Sequence, residues 1–117
     1  MVDRRLKLLL DAINAIDLAV SFLAGQTLDA YSDNAMLRSS IKRQLEVLGE
    51  AFVRLTREEP SLFERLPVAR SAIALRNRII HGYDTLDDQT VHGTVARDLP
   101  TLRTALHAWL LELDPRA

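Results

Sequence analysis

Apolar residues recur along this chain in steps of three and four. Leu6, Leu9, Ile13, Ile16, Val20 and Leu23 make one series, and Leu37, Ile41, Leu45, Leu48, Phe52 and Leu55 a second. That spacing collects each series on one face of an α-helix. Gly25 is placed to end the first helix, residues 26–32 read as a connection, and Ser32 or Asp33 is available to cap the second. Two helices of similar length across a short connection predict an antiparallel pair. Pro60 ends the second pattern, and Ser61-Leu62-Phe63-Glu64 has the form of a capping box opening a short helix.

From Pro67, which suits a first helical position, a third long helix runs through Val68 and Ile73 to about His81, and Gly82 is its natural stop. Leu86, Asp87 and Val91 fit a hydrophobic staple around an Asp cap, and Val91, Val95 and Leu99 make the apolar edge of the helix that this cap opens. Pro100 must begin a helix or kink one, and Leu102, Leu106, Trp109, Leu110 and Leu113 form a last seam. No segment alternates with the period of a half-buried strand, and four glycines leave few hairpin turns. The predicted fold is all-α, an up-and-down four-helix bundle with an additional short helix. Residues 1–117 are expected to form a single domain.

Composition narrows the function less than the pattern does. Hydrophobic residues at 48% and charged residues at 26% belong to a globular protein. A net charge of −1 argues against a surface built wholly to coat nucleic acid, but leaves a local basic cleft open. The absence of cysteine excludes a disulfide framework, a thiolate nucleophile and a Cys-based metal site. His81, His92 and His107 lack the paired spacing of a zinc helix, so neither metal nor cofactor is expected. Lys7, Asp11, Asn14 and Asp17 interrupt the apolar N-terminal positions, so no secretory signal or membrane span is expected and the cytoplasm is the default compartment.

One stretch departs from bundle logic. Arg76-Asn77-Arg78-Ile79-Ile80-His81-Gly82-Tyr83 sets a guanidinium, an amide, an imidazole and a phenol among isoleucines. Arg76 falls in line with Ala72, Ile73, Ile79 and Ile80, where a helix needing only packing would carry Leu. At about 100° per residue, Asn77 lies within about 40° of His81 and can orient it, whereas Arg76 and His81 are about 140° and roughly 7.5 Å apart. Two arrangements bring that Arg and His together: a helix that ends between them, or a two-fold dimer that sets a second copy opposite the first.

An Arg beside a His suits a phosphate ester, the guanidinium holding phosphoryl oxygens while the imidazole moves a proton. With no metal ligands indicated, the simplest reaction is attack by an RNA 2′-hydroxyl on its own phosphate. Arg65, Arg70, Arg76 and Arg78 against Glu64 make residues 64–81 locally basic. The plainer reading is that an Arg and a His at a helix end make caps and ion pairs. Glu50 likewise has two readings, an i,i+4 partner for Arg54 or a buried partner for Arg76, with Gly49 allowing another element to approach closely.

The run from Arg76 to Tyr83 resembles the R-x4-H-x-Y signature of HEPN-superfamily proteins of the HepT type, the toxin halves of HEPN/MNT toxin–antitoxin pairs. Residues 41–51, ending in Gly49-Glu50-Ala51, resemble the family's second helix, and Asp98-Leu99-Pro100 its opening of the last helix. The resemblance implies an all-α homodimer with the motif at the subunit interface, acting as a metal-independent endoribonuclease on RNA, tRNA among the candidate targets. It assigns catalysis to Arg76 and His81, with Asn77 in the polar position after the Arg. It also implies a cognate MNT-type nucleotidyltransferase antitoxin that silences the toxin by transferring AMP to Tyr83. The alternative is a non-catalytic helical partner that assists a separate minimal nucleotidyltransferase. A third reading is a helical dimer whose polar network only stabilises its interface. Asp84-Thr85-Leu86 after the motif, His92 in place of a Trp, and Leu66-Pro67-Val68 before the motif helix depart from the family pattern.

Overall fold

The computed structural model describes residues 3–82 and 86–117, and within them every regular element is helical, without strands. Four long helical runs form the bundle. The first is α1 (Arg4–Leu23), capped by Asp3, whose carboxylate accepts from the Arg5 N–H. A short α2 (Leu28–Ser32) leads to α3 (Ala35–Glu58), and a single turn, α4 (Leu62–Arg65), leads to α5 (Val68–His81). The last run is α6 (Asp88–Gly93), a π-helical turn at Thr94–Asp98, and α7 (Leu99–Leu113).

The centre of the packing is α1, which lies against both α3 and α7. Serving two partners widens its buried face beyond the predicted stripe: Leu8, Ala12, Ala15 and Ala19 join Leu9, Ile13, Ile16 and Leu23, while Val20 falls on the exposed edge. All six predicted positions of α3, from Leu37 to Leu55, are buried. Ion pairs fix the directions. Arg5 near the start of α1 bonds Glu59 just past α3 at 2.9 Å, and Asp17 late in α1 bonds Arg103 early in α7 at 2.6 Å, so α1 runs antiparallel to each. The remaining long helix, α5, packs chiefly on α3 and fully buries one residue, Ala69. It is an outrigger of the bundle rather than a core helix.

Local chemistry explains where the chain departs from its pattern. Residues predicted as a connection contain α2, capped by Thr27, whose hydroxyl accepts from the Ala30 N–H at 3.2 Å. Five residues are too few to show a helical period, and its anchor is one side chain, the fully buried Tyr31. The cap of α3 is Asn34, accepting from the Leu37 N–H, rather than Ser32 or Asp33. Helix α1 ends on Ala24 in the left-handed region, and Gly25 follows at φ +70°, so the predicted glycine stop is displaced by one residue. The capping-box bond of Ser61 does not form, and its hydroxyl donates to Glu59 at 2.9 Å.

Asp87 does cap α6, accepting from the Thr90 N–H at 2.6 Å. Pro100 stands in the first turn of α7, but α7 does not start afresh there: it continues from a π-helical turn in which Leu99 N–H reaches back to the Thr94 carbonyl. The missing proline N–H is thereby accommodated where the ladder has already been widened. Trp109 is buried with the Arg65 guanidinium 4.6 Å over its ring. No described helix is long and apolar enough to cross a membrane.

The Tyr31 hydroxyl is buried without a hydrogen-bond partner among the described residues, and burial pushes the phenol up to about 12, reinforced by Asp88 and opposed by Arg38. A phenol held neutral in the fold ionises first in the unfolded chain, so its stabilising effect is complete below about pH 10 and is lost as pH rises toward about 12. Tyr31→Phe should leave stability at pH 7 unchanged or higher, since no bond is lost, and should flatten the alkaline fall. Urea titrations of both proteins across that pH range check this; an equally steep fall in the variant would contradict it.

Candidate functional site

Helix α5 presents its polar residues in two directions. Arg76 turns toward α3, where its guanidinium meets Glu50 at 2.9 Å through Nη2 and donates through Nη1 to the Asn77 side-chain oxygen at 2.8 Å. His81 ends the helix, exposed, with Gly82 behind it as the C-cap. The helix is unbroken from Val68 to His81, so the arrangement in which it ends between Arg76 and His81 is not the one adopted. Asn77 bonds Arg76, not His81 as its spacing suggested. Tyr83 lies outside the described residues.

The seat of Arg76 is made by Gly49. A Cβ at that position would stand 2.3 Å from Arg76 Cβ and 3.1 Å from the Ala72 carbonyl oxygen, so only glycine lets α5 come this close to α3. The next residue, Glu50, then reaches the guanidinium. Both readings of Glu50 are realised together: Oε2 takes Arg76 and Oε1 takes Arg54 at 3.2 Å. The pair is not buried as one reading had it, since the Glu50 side chain is 39% exposed and that of Arg76 26%. Exposure of that degree limits its worth to at most about 1 kcal/mol, so the pair orients Arg76 more than it stabilises the fold. The Arg76 Nε is buried without a partner among the described residues.

The surrounding cleft, of about 530 Å³, lies between α1, α3 and α5 and is lined by Asp11, Arg43, Glu46, Glu50, Arg54 and Arg76 among others. Arg43 and its companions on α3 were not singled out by the motif. Their signal was available, because Arg43, Val47, Glu50 and Arg54 recur in steps of four, three and four and so share one helical face. The predicted basic run of residues 64–81 divides. Arg65 turns to Trp109 and Glu112, and Arg70 lies 4.4 Å over the Phe63 ring, both away from Arg76.

A second cavity, of about 310 Å³, lies on the other side of α5, where Leu45, Leu48, Leu75 and Leu99 line it beneath Arg78 and Thr94. The other histidines stand apart from the motif. His92 donates through Nε2 to the Gln26 carbonyl at 2.7 Å and meets the Tyr31 ring edge-on at 6.2 Å, while His107 is exposed on α7. An oriented guanidinium and an exposed imidazole on one helix can respectively hold a phosphoryl group and move a proton, but on faces about 140° apart they need a second copy to meet.

The family model described as "Ribonuclease HepT-like" matches residues 12–108. Two proteins of Methanocaldococcus jannaschii are similar along most of their length. "Putative RNase MJ0125" is 23% identical over 92% of this chain and 92% of its own, and "Putative RNase MJ1216" is 25% identical over 91% of this chain and 87% of its own. No solved structure matches the chain.

Replacing Gly49 by Ala should push α5 off α3 and cost about 1–3 kcal/mol, the usual range for overpacking a close contact. Chemical denaturation measures it. An unchanged midpoint would show that the helices do not meet at this residue.

Proposed function

The chain belongs to the HepT-like ribonuclease family, and from that membership we propose that it is a metal-independent endoribonuclease, the toxin of a HEPN/MNT pair, acting at a cleft shared by two subunits. RNase activity of the HEPN type follows from the family itself. The observation that supports a shared cleft is the unbroken α5, which holds Arg76 against Glu50 and leaves His81 exposed at the helix end, on a different face. A two-fold partner that sets its own α5 antiparallel to this one brings the Arg76 of one subunit to the His81 of the other.

In that cleft the Arg76 guanidinium holds the non-bridging oxygens of the scissile phosphate. His81 takes the proton of the neighbouring 2′-hydroxyl, whose oxygen attacks phosphorus. The bond to the 5′-oxygen breaks, that oxygen takes a proton from water while His81 returns its own to solvent, and the products are a 2′,3′-cyclic phosphate and a 5′-hydroxyl. Asn77 and Glu50 support by fixing the plane of the guanidinium. tRNA is a candidate substrate.

Tyr83 follows His81 by two residues in the sequence. Transfer of AMP to its phenol oxygen from a nucleoside triphosphate, with pyrophosphate leaving, would place a bulky anionic phosphodiester near the catalytic His and repel the RNA phosphate. A cognate MNT-type nucleotidyltransferase is the proposed donor enzyme and antitoxin.

Purified protein should cut RNA in EDTA and leave 2′,3′-cyclic phosphate ends, and Arg76→Ala with His81→Ala should abolish the cut. Cutting retained by that double variant would overturn the assignment. No cutting by the unmodified chain, with enhancement of a neighbouring nucleotidyltransferase instead, would favour the non-catalytic partner reading. Co-expression with the nucleotidyltransferase should add the mass of AMP to the wild-type chain and not to Tyr83→Phe.

A further inference from the structure

The polar cleft between α1, α3 and α5 holds three arginines and three carboxylates, but their charges are not evenly matched. Asp11 is paired with Lys7 at 3.1 Å, and Glu46 with Arg43 at 3.4 Å. Among the described residues Glu50 alone is left to balance both Arg54 and Arg76, one carboxylate oxygen to each, so the middle of the cleft carries one positive charge in excess. Arg54 is the more available of the two, its side chain 62% exposed against 26% for Arg76. Arg43 lies on the same face of α3 three turns earlier, with its side chain 68% exposed.

We propose that Arg54 is a substrate-positioning residue that holds the RNA phosphate adjacent to the scissile one, with Arg43 extending the same track along α3. The proposal rests on the ribonuclease reading and on Arg76 holding the scissile phosphate. Two guanidiniums on either side of one carboxylate are close enough for neighbouring phosphates of one strand. Glu50 keeps both extended into the cleft through one oxygen each, and RNA entry exchanges its Arg54 contact for a phosphate oxygen of like charge while Oε2 keeps Arg76 in place. Single-stranded RNA, whose backbone can follow a groove this short, fits better than a duplex.

The test separates a phosphate contact from a structural one. Binding of a fully 2′-O-methylated oligonucleotide, which cannot be cut, is followed by fluorescence anisotropy over a range of salt for wild type, Arg54→Gln and Arg54→Lys. Arg54→Gln should weaken binding about ten-fold and lower the slope of log affinity against log salt by about 0.7, the contribution of one phosphate contact on a single strand. Arg54→Lys should restore the slope. On cleavable RNA, Arg54→Gln should raise KM with kcat within about two-fold. An unchanged salt slope, or a fall in kcat with KM unchanged, would overturn the proposal and leave Arg54 as a prop for Glu50. Because the binding arm needs no cleavage, a wild-type chain that binds but does not cut counts against the ribonuclease reading and not against Arg54.

Discussion

The site depends on one close approach, that of α5 to α3 at Gly49. Without a side chain there, α3 lets the Arg76 Cβ and the Ala72 carbonyl of α5 settle almost onto its backbone. The following residue, Glu50, then stands where a carboxylate can take the guanidinium from the side. Backbone packing and electrostatics are thus set by two consecutive residues. The rest of the bundle supports that arrangement: α1 is packed between α3 and α7, and α5 is left as an outer helix with most of its surface uncommitted. A helix so placed can give its polar residues to a cleft or to a second subunit, where a core helix would have to bury them at high cost.

The continuity of α5 carries the functional argument furthest. Arg76 and His81 are each well suited to phosphate chemistry, yet an unbroken helix sets them on different faces. A single subunit therefore offers an oriented cation in one cleft and an imidazole beyond it. The proposed pairing of two subunits would resolve this without altering either helix, and would cover the exposed apolar residues at the two ends of α5, Val68 and Ile80.

Legibility in the sequence depended on what each feature needs. The stripes of α3 and α7 could be read directly because long helices repeat their period several times, and the motif could be read because Arg, His and Tyr at fixed spacing are rare among isoleucines. Helix α2 could not, since a five-residue turn has no period and is held by Tyr31 alone. The π-helical turn before Pro100 was invisible for another reason: the sequence shows that proline must perturb the ladder, not how the preceding carbonyls are re-bonded. Glu50 was ambiguous because i,i+4 and tertiary partners are not exclusive, and its two oxygens satisfy both. Asn77 misled by spacing, as its nearer neighbour Arg76 takes the bond expected for His81.

The central claim is that each reaction centre takes its Arg from one subunit and its His from the other. Mixing inactive Arg76→Ala protein with inactive His81→Ala protein under conditions of subunit exchange tests it directly. A shared cleft predicts recovery to about a quarter of wild-type activity, since half of the randomly exchanged dimers carry one intact centre of two. A mixture as inactive as either parent, with exchange shown by mass, would place both groups in one subunit and contradict the account.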